Sequence, residues 1–137
     1  MGTPLQQAYD LFFSKIDDDL FGLELQIFNW LNSAISKSKK FVINNLDYTL
    51  NDNSDYDGNF NNYLTDDELE LIAMQMKYEY YDKKNAYLTS LRREIGTKDF
   101  NSLPDKKREL DGIQNSMKLL KEDIKELKQQ FNTYQYN

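Results

Sequence analysis

The sequence predicts an all-α protein: a bundle of about four helices with a long polar loop after the second helix and an extended C-terminal helix. Three observations lead there. Apolar residues recur at intervals of three and four through most of the chain. Helix start and stop signals fall at the ends of those periodic stretches. The one long stretch without that period, residues 40–64, is rich in Asn and Asp. At 137 residues the chain is expected to form a single helical domain, 1–137, with a modest core.

The elements follow in order. Residues 5–39 carry the first two helices. Thr3 reads as an N-cap, Pro4 as the first helical residue and Gln6 as the partner that completes a capping box. Leu5, Ala8, Tyr9, Phe12, Phe13 and Ile16 then share one face. Asp17-Asp18-Asp19 closes that helix and can open the next, because acids favour a helix N-terminus. The second helix is expected from about Leu20 to Lys39, with Leu20, Leu23, Ile27, Trp30, Leu31, Ala34 and Ile35 on one face. Phe21, Leu25 and Phe28 lie off that face, which predicts contacts on two sides. Gly22 weakens the first turn.

Residues 40–64 form the Asn/Asp-rich loop, in which only Leu46, Tyr48 and Leu50 alternate as an extended segment would. The central helix spans 65–96. Thr65 caps it, Glu68 reaches back and Leu64 staples to Leu69. Leu69, Ile72, Ala73, Met76, Tyr80, Tyr87, Leu88, Leu91 and Ile95 carry its apolar face to a stop at Gly96. A linker, TKDFNSLP, leads to the long last helix and tail, 102–134, with Ser102 as N-cap. There Leu110, Ile113, Met117, Leu120, Ile124, Leu127, Phe131 and Tyr134 alternate by three and four as in a coiled coil. Too little chain follows to cover the second half of that seam, so Ile124, Leu127, Phe131, Tyr134 and Tyr136 are expected to seek a partner chain.

Composition narrows the chemistry. The chain has neither Cys nor His, which removes thiol nucleophiles, Ser–His and Cys–His catalysis, and the usual zinc sites. Its carboxylates sit at helix starts or in the Asn-rich loop, where nothing apolar raises a pKa. An enzyme is therefore not expected, nor a cofactor. A net charge of −6 argues against a protein that grips DNA by its phosphates. No apolar run approaches membrane-spanning length, and the N-terminus lacks the pattern of a signal peptide. DNSDYDGNFNNYL resembles a calcium loop in outline. With Gly58 at its sixth position the ligands would be Asn53, Asp55 and Asp57, but Leu64 falls where a bidentate Glu is required. No metal is expected. Basic clusters at Lys37/Lys39/Lys40, Arg92/Arg93 and Lys106/Lys107/Arg108 read as solvated faces, some of them pairing with acidic patches of a neighbour.

The order of segments resembles the head–tail connector (neck, or adaptor) proteins of tailed bacteriophages. Leu31-Asn32-Ser33-Ala34-Ile35, the acidic-capped stretch from Leu64 to Leu69, Tyr78-Glu79-Tyr80-Tyr81 and Thr97-Lys98-Asp99-Phe100 match that family's features in order, over roughly residues 5–130. Where the family has Ser-Pro-Ala, this chain has Ser102-Leu103-Pro104-Asp105, which shifts the start of the last helix. The resemblance implies a virion structural protein at the neck, assembled in the host cytoplasm as a ring of about twelve copies. Such a ring sits between the portal protein and the tail or further neck proteins. Genomic DNA passes through its lumen without specific binding, and its C-terminal segment reaches the portal. On that reading Asn53, Asp55, Asp57 and Asn59 face the lumen or a neighbour. The alternative from a different class is a small acidic helical regulator or binding protein dimerising through the 110–134 seam.

Overall fold

A computed structural model describes residues 2–136, and side chains as far as Asn132. The chain is mostly helical, with one small sheet. Its elements are α1 (Leu5–Phe13), α2 (Glu24–Ser38), β1 (Tyr48–Leu50), β2 (Gly58–Phe60), α3 (Asp66–Ile95), α4 (Thr97–Asn101) and α5 (Pro104–Tyr136). The long α3 is the organising element: α1, α2 and α5 all pack on it, and α4 turns the chain between α3 and α5.

The start of α3 forms as local signals dictate. The Thr65 hydroxyl accepts from the Glu68 N–H, and the Glu68 carboxylate accepts from the Thr65 N–H. Gly96 ends the helix. The face of α3 is wider than a single stripe, since every residue from Leu71 to Met76 is buried. A helix turn buried all round has neighbours on every side, here α1, α2 and α5.

Several expectations are corrected. Thr3 does not cap α1. Its hydroxyl accepts from the Leu64 N–H, its own N–H donates to the Asn62 carbonyl and its carbonyl accepts from Phe60. Residues 2–4 thus lie beside β2, and Gln6 donates to Asp10 instead of closing a box. The second helix begins at Glu24, four residues late, because Gly22 takes a left-handed φ of 84° that a helix cannot contain. The acids before it bind elsewhere: Asp18 accepts from Tyr80 and pairs with Lys84, and Asp19 accepts from the Phe21 N–H. Phe28 does meet the sheet through Tyr48 and Tyr56, but Phe21 and Leu25 are exposed, as is Tyr87 on α3.

The segment after α2 is not a free polar loop, and the chain is not strictly all-α. β1 and β2 pair antiparallel, with Tyr48 opposite Phe60 and Leu50 opposite Gly58. Val42, Leu46 and Phe60 enter the main core. At Gly58 a Cβ would lie 2.1 Å from the Thr49 carbonyl oxygen, so only glycine allows this closeness of strands. The linker TKDF is the short helix α4, held by Phe100 inside. Ser102 donates to the Asp99 carbonyl instead of capping, and the last helix starts at Pro104.

Two hydrophobic clusters result. In the larger, Phe12, Trp30 and Tyr80 form a triangle of edge-on rings, with centroids 5.8 to 6.2 Å apart. Leu120, Ile124 and Phe131 of α5 belong to it, and Leu127 packs against it. The smaller cluster consists of Leu88, Phe100, Leu110 and Ile113. We call the regions around them the body and the arm. The second half of the α5 seam was expected to lack cover within the chain, and it has it: α5 runs back along α3 into the body.

Candidate functional site

The carboxylate most deeply placed is structural. Glu68 is 1% exposed. Besides its bond from Thr65, it accepts from the backbone N–H of Asn44 at 2.9 Å and from the Asn44 side-chain amide at 2.7 Å. Burial alone would raise its pKa, but the N–H of Thr65 and both donors of Asn44 outweigh it, and the net shift is downward. A carboxylate held ionised by three fixed bonds is a clasp between the segment after α2 and the start of α3. It is not poised to take up a proton at neutral pH. Tyr9 donates to the Tyr56 carbonyl at 2.7 Å, and burial, with Tyr48 and Asp57 nearby, pushes its phenol well above the usual range.

The residues expected to face a lumen or neighbour divide into two pairs. Asn53 and Asp55 are exposed at the tip of the hairpin. Asp57 and Asn59 are half-buried in it: Asp57 accepts from the Gly58 N–H, and Asn59 pairs with Thr49. The stretch is the turn of a hairpin, not a loop between two helices. Among the described residues no three acids are grouped so as to hold a metal ion.

Of the residues expected at a portal or subunit interface, Ile124 and Phe131 are buried and Leu127 is half-buried in the body. The side chains of Tyr134 and Tyr136 lie outside the described residues.

The surface is organised by charge along α3. Between residues 41 and 76 the chain has eight Asp or Glu and no Lys or Arg. Glu68 is interior, but Asp66 and Asp67 are exposed at the helix start, beside exposed Tyr63 and Ile43. At the other end, residues 92–108 carry six Lys or Arg against three acids. α4 folds the chain so that Arg92, Arg93 and Lys98 share that end with Lys106, Lys107 and Arg108. The nearest acids neutralise little: Lys106–Glu109 and Arg108–Asp105 are 4.0 and 3.9 Å apart on open surface. Leu103 and Tyr87 are exposed on the same arm. A 30-residue helix is about 45 Å long, so the two poles lie far beyond a Debye length of each other.

The two basic runs were visible in the sequence as separate clusters; their joining was not, because it depends on α4. No described helix is long and apolar enough to cross a membrane. No protein-family model, curated protein or solved structure matches the chain.

Proposed function

We propose that the protein is a structural component of a phage neck, a helical bundle that assembles head to tail into a ring joining portal to tail. The observation that supports this most is the segregation of charge. One end of α3 presents acids with exposed apolar side chains; the other presents bases with exposed apolar side chains. Such ends do not complement themselves, so the contact they favour is heterologous, between unlike surfaces of successive copies. Heterologous contacts close into rings when the rotation permits. Asp66 and Asp67, with Ile43 and Tyr63, would receive the arm tip of the next copy. The acids at the hairpin tip, Asp52 and Asp55, would line the passage and repel phosphate, letting genomic DNA slide. The alternative, a small acidic regulator or binding protein, would need a dimer contact other than Leu120, Ile124 and Phe131, which are buried within the chain.

The test is the mass of the purified protein across concentration and salt, alone and with the portal protein of the same particle. Rings visible by negative-stain microscopy, weakened by salt, are expected. A protein that stays monomeric at low salt, and fails to co-migrate with portal, would sink the proposal.

A further inference from the structure

We propose that the cleft between the end of α2, the middle of α3 and the second half of α5 binds a small anion carrying two or more phosphate groups. The cleft, of about 500 Å³, gathers Lys37, Lys40, Lys121 and Lys128. That volume lies within the range of small-ligand sites, roughly 300–1,000 Å³. The four cations come from two parts of the chain, the end of α2 and the second half of α5. Lys121 and Lys128 are seven residues apart, two turns of α5, and flank Ile124 on the wall.

The protein supplies few counter-charges here, although it has more acids than bases overall. Lys37 pairs with Glu79 on α3. Among the described residues, Lys40, Lys121 and Lys128 have no carboxylate partner. Lys128 instead stands over the Phe41 ring, 4.4 Å from its centroid. Burial lowers the pKa of that ammonium, and Lys37 nearby lowers it further. Like charges collected in a partly desolvated cleft raise the energy of the empty state, and a bound anion relieves it.

Gln75, 5% exposed, lines the same cleft and offers it an amide donor and acceptor beside the four ammoniums. The Tyr78 ring lines the same wall, with Lys37 at 6.0 Å from its centroid.

The spread of the cations selects the ligand class. A single carboxylate engages one or two ammoniums, whereas a di- or triphosphate presents charge at several points, which suits lysines as point-charge partners. A long polyanion is disfavoured by the net charge of −6 and by the acids of the body. The inference does not depend on ring assembly.

Calorimetric titration with sodium tripolyphosphate, at constant physiological ionic strength, tests it. Saturable one-site binding and a raised melting temperature are expected. The Lys121→Gln/Lys128→Gln double variant should weaken binding at least about tenfold, and without ligand it should melt at or above the temperature of the parent. Gln75→Leu and, separately, Lys40→Gln should also weaken binding, so the test survives if one variant misfolds. Four outcomes would overturn the proposal: no saturable binding up to millimolar tripolyphosphate, unchanged affinity in the folded variants, orthophosphate binding as tightly as tripolyphosphate, or lysine-dependent binding of a single-stranded DNA oligonucleotide alone.

Discussion

The body and the arm are built from the same two helices, yet different things hold them. In the body, α3 and α5 are joined by α1, α2 and the hairpin, so Leu5, Phe12, Leu31, Phe60 and Ile72 arrive from four elements and are fully buried. In the arm only α3, α4 and α5 meet, around Leu88, Phe100, Leu110 and Ile113. The body is a non-local core in which each element covers several others. The arm is a local hairpin of helices with one thin seam and two solvated sides. Local opening draws on regions with few buried apolar contacts, so the arm should open without the body. Its outer surface is then free to be specified by charge, and it is the arm that carries the basic pole.

The largest effect that could break this comparison comes from truncation. Removing residues 122–137 takes Ile124, Leu127 and Phe131 out of the body. Each buried apolar side chain of this kind is worth about 1.5–3 kcal/mol, so their loss is comparable with the marginal stability of a domain, about 5–15 kcal/mol. The truncated chain should lose its cooperative melting transition by circular dichroism. A folded truncation would show that the second half of α5 is dispensable to the body.

A matched pair of substitutions separates the two regions. Phe12 and Phe100 are both almost wholly buried. Phe12→Ala should cost about 3–5 kcal/mol in global unfolding, since its ring touches those of Trp30 and Tyr80. Phe100→Ala should remove hydrogen-exchange protection around residues 88–113 while the body keeps most of its protection. If both variants lower protection everywhere alike, body and arm are one cooperative unit.

What was legible in the sequence follows the same division between local and non-local. The capping box at Thr65 and Glu68 needs only four residues, and it is present as read. The stop at Gly96 is local too. The sheet was not legible beyond the alternation of Leu46, Tyr48 and Leu50, because its strands are three residues long. They are held in part by Thr3, more than fifty residues away in the chain. The fate of the α5 seam was misread for a definite reason. A single stripe on α3, through Leu69, Ile72, Ala73 and Met76, left no surface for Ile124 and Phe131. Leu71 and Met74, off that stripe and buried, give α3 the additional surface that an all-round helix turn requires. Of the candidate sites, the basic runs were visible but not their union at the arm tip. The lysine cleft was not visible at all, because Lys37, Lys40, Lys121 and Lys128 converge only when α5 returns along α3.

The clasp at Glu68 gives a smaller effect with a definite sign in pH. Its folded pKa lies below its ordinary value of 4.5, so the stability it contributes is fully present above that value. It is lost as the pH falls below 4.5 through the depressed folded pKa. Glu68→Gln should lower stability at neutral pH by about 1–3 kcal/mol and flatten the acid limb of the stability curve. Thr65→Ala should cost about 1 kcal/mol and leave that limb in place, because Asn44 still donates twice to the carboxylate. An unaltered acid limb in Glu68→Gln would mean that other carboxylates set it.

The smallest effect on stability should come from the arm tip, and there the comparison becomes sharpest. Lys106, Lys107 and Arg108 are exposed, and among the described residues their ion pairs, Lys106–Glu109 and Arg108–Asp105, are near the 4 Å limit on open surface. Such pairs contribute little, and surface changes away from caps and cores usually stay within about 0.5 kcal/mol. Replacing all three by Gln should therefore leave the melting temperature nearly unchanged while removing half of the basic residues of the pole. If the tip meets the acidic start of α3 in another copy, the variant should associate more weakly, and its association should respond less to salt. Asp66→Asn with Asp67→Asn should produce the same loss from the opposite pole. Combining the two sets should then add little further, because each removes one side of the same contact. Strictly additive losses would place the tip and the acids in separate contacts, and the head-to-tail pairing of body and arm would be wrong.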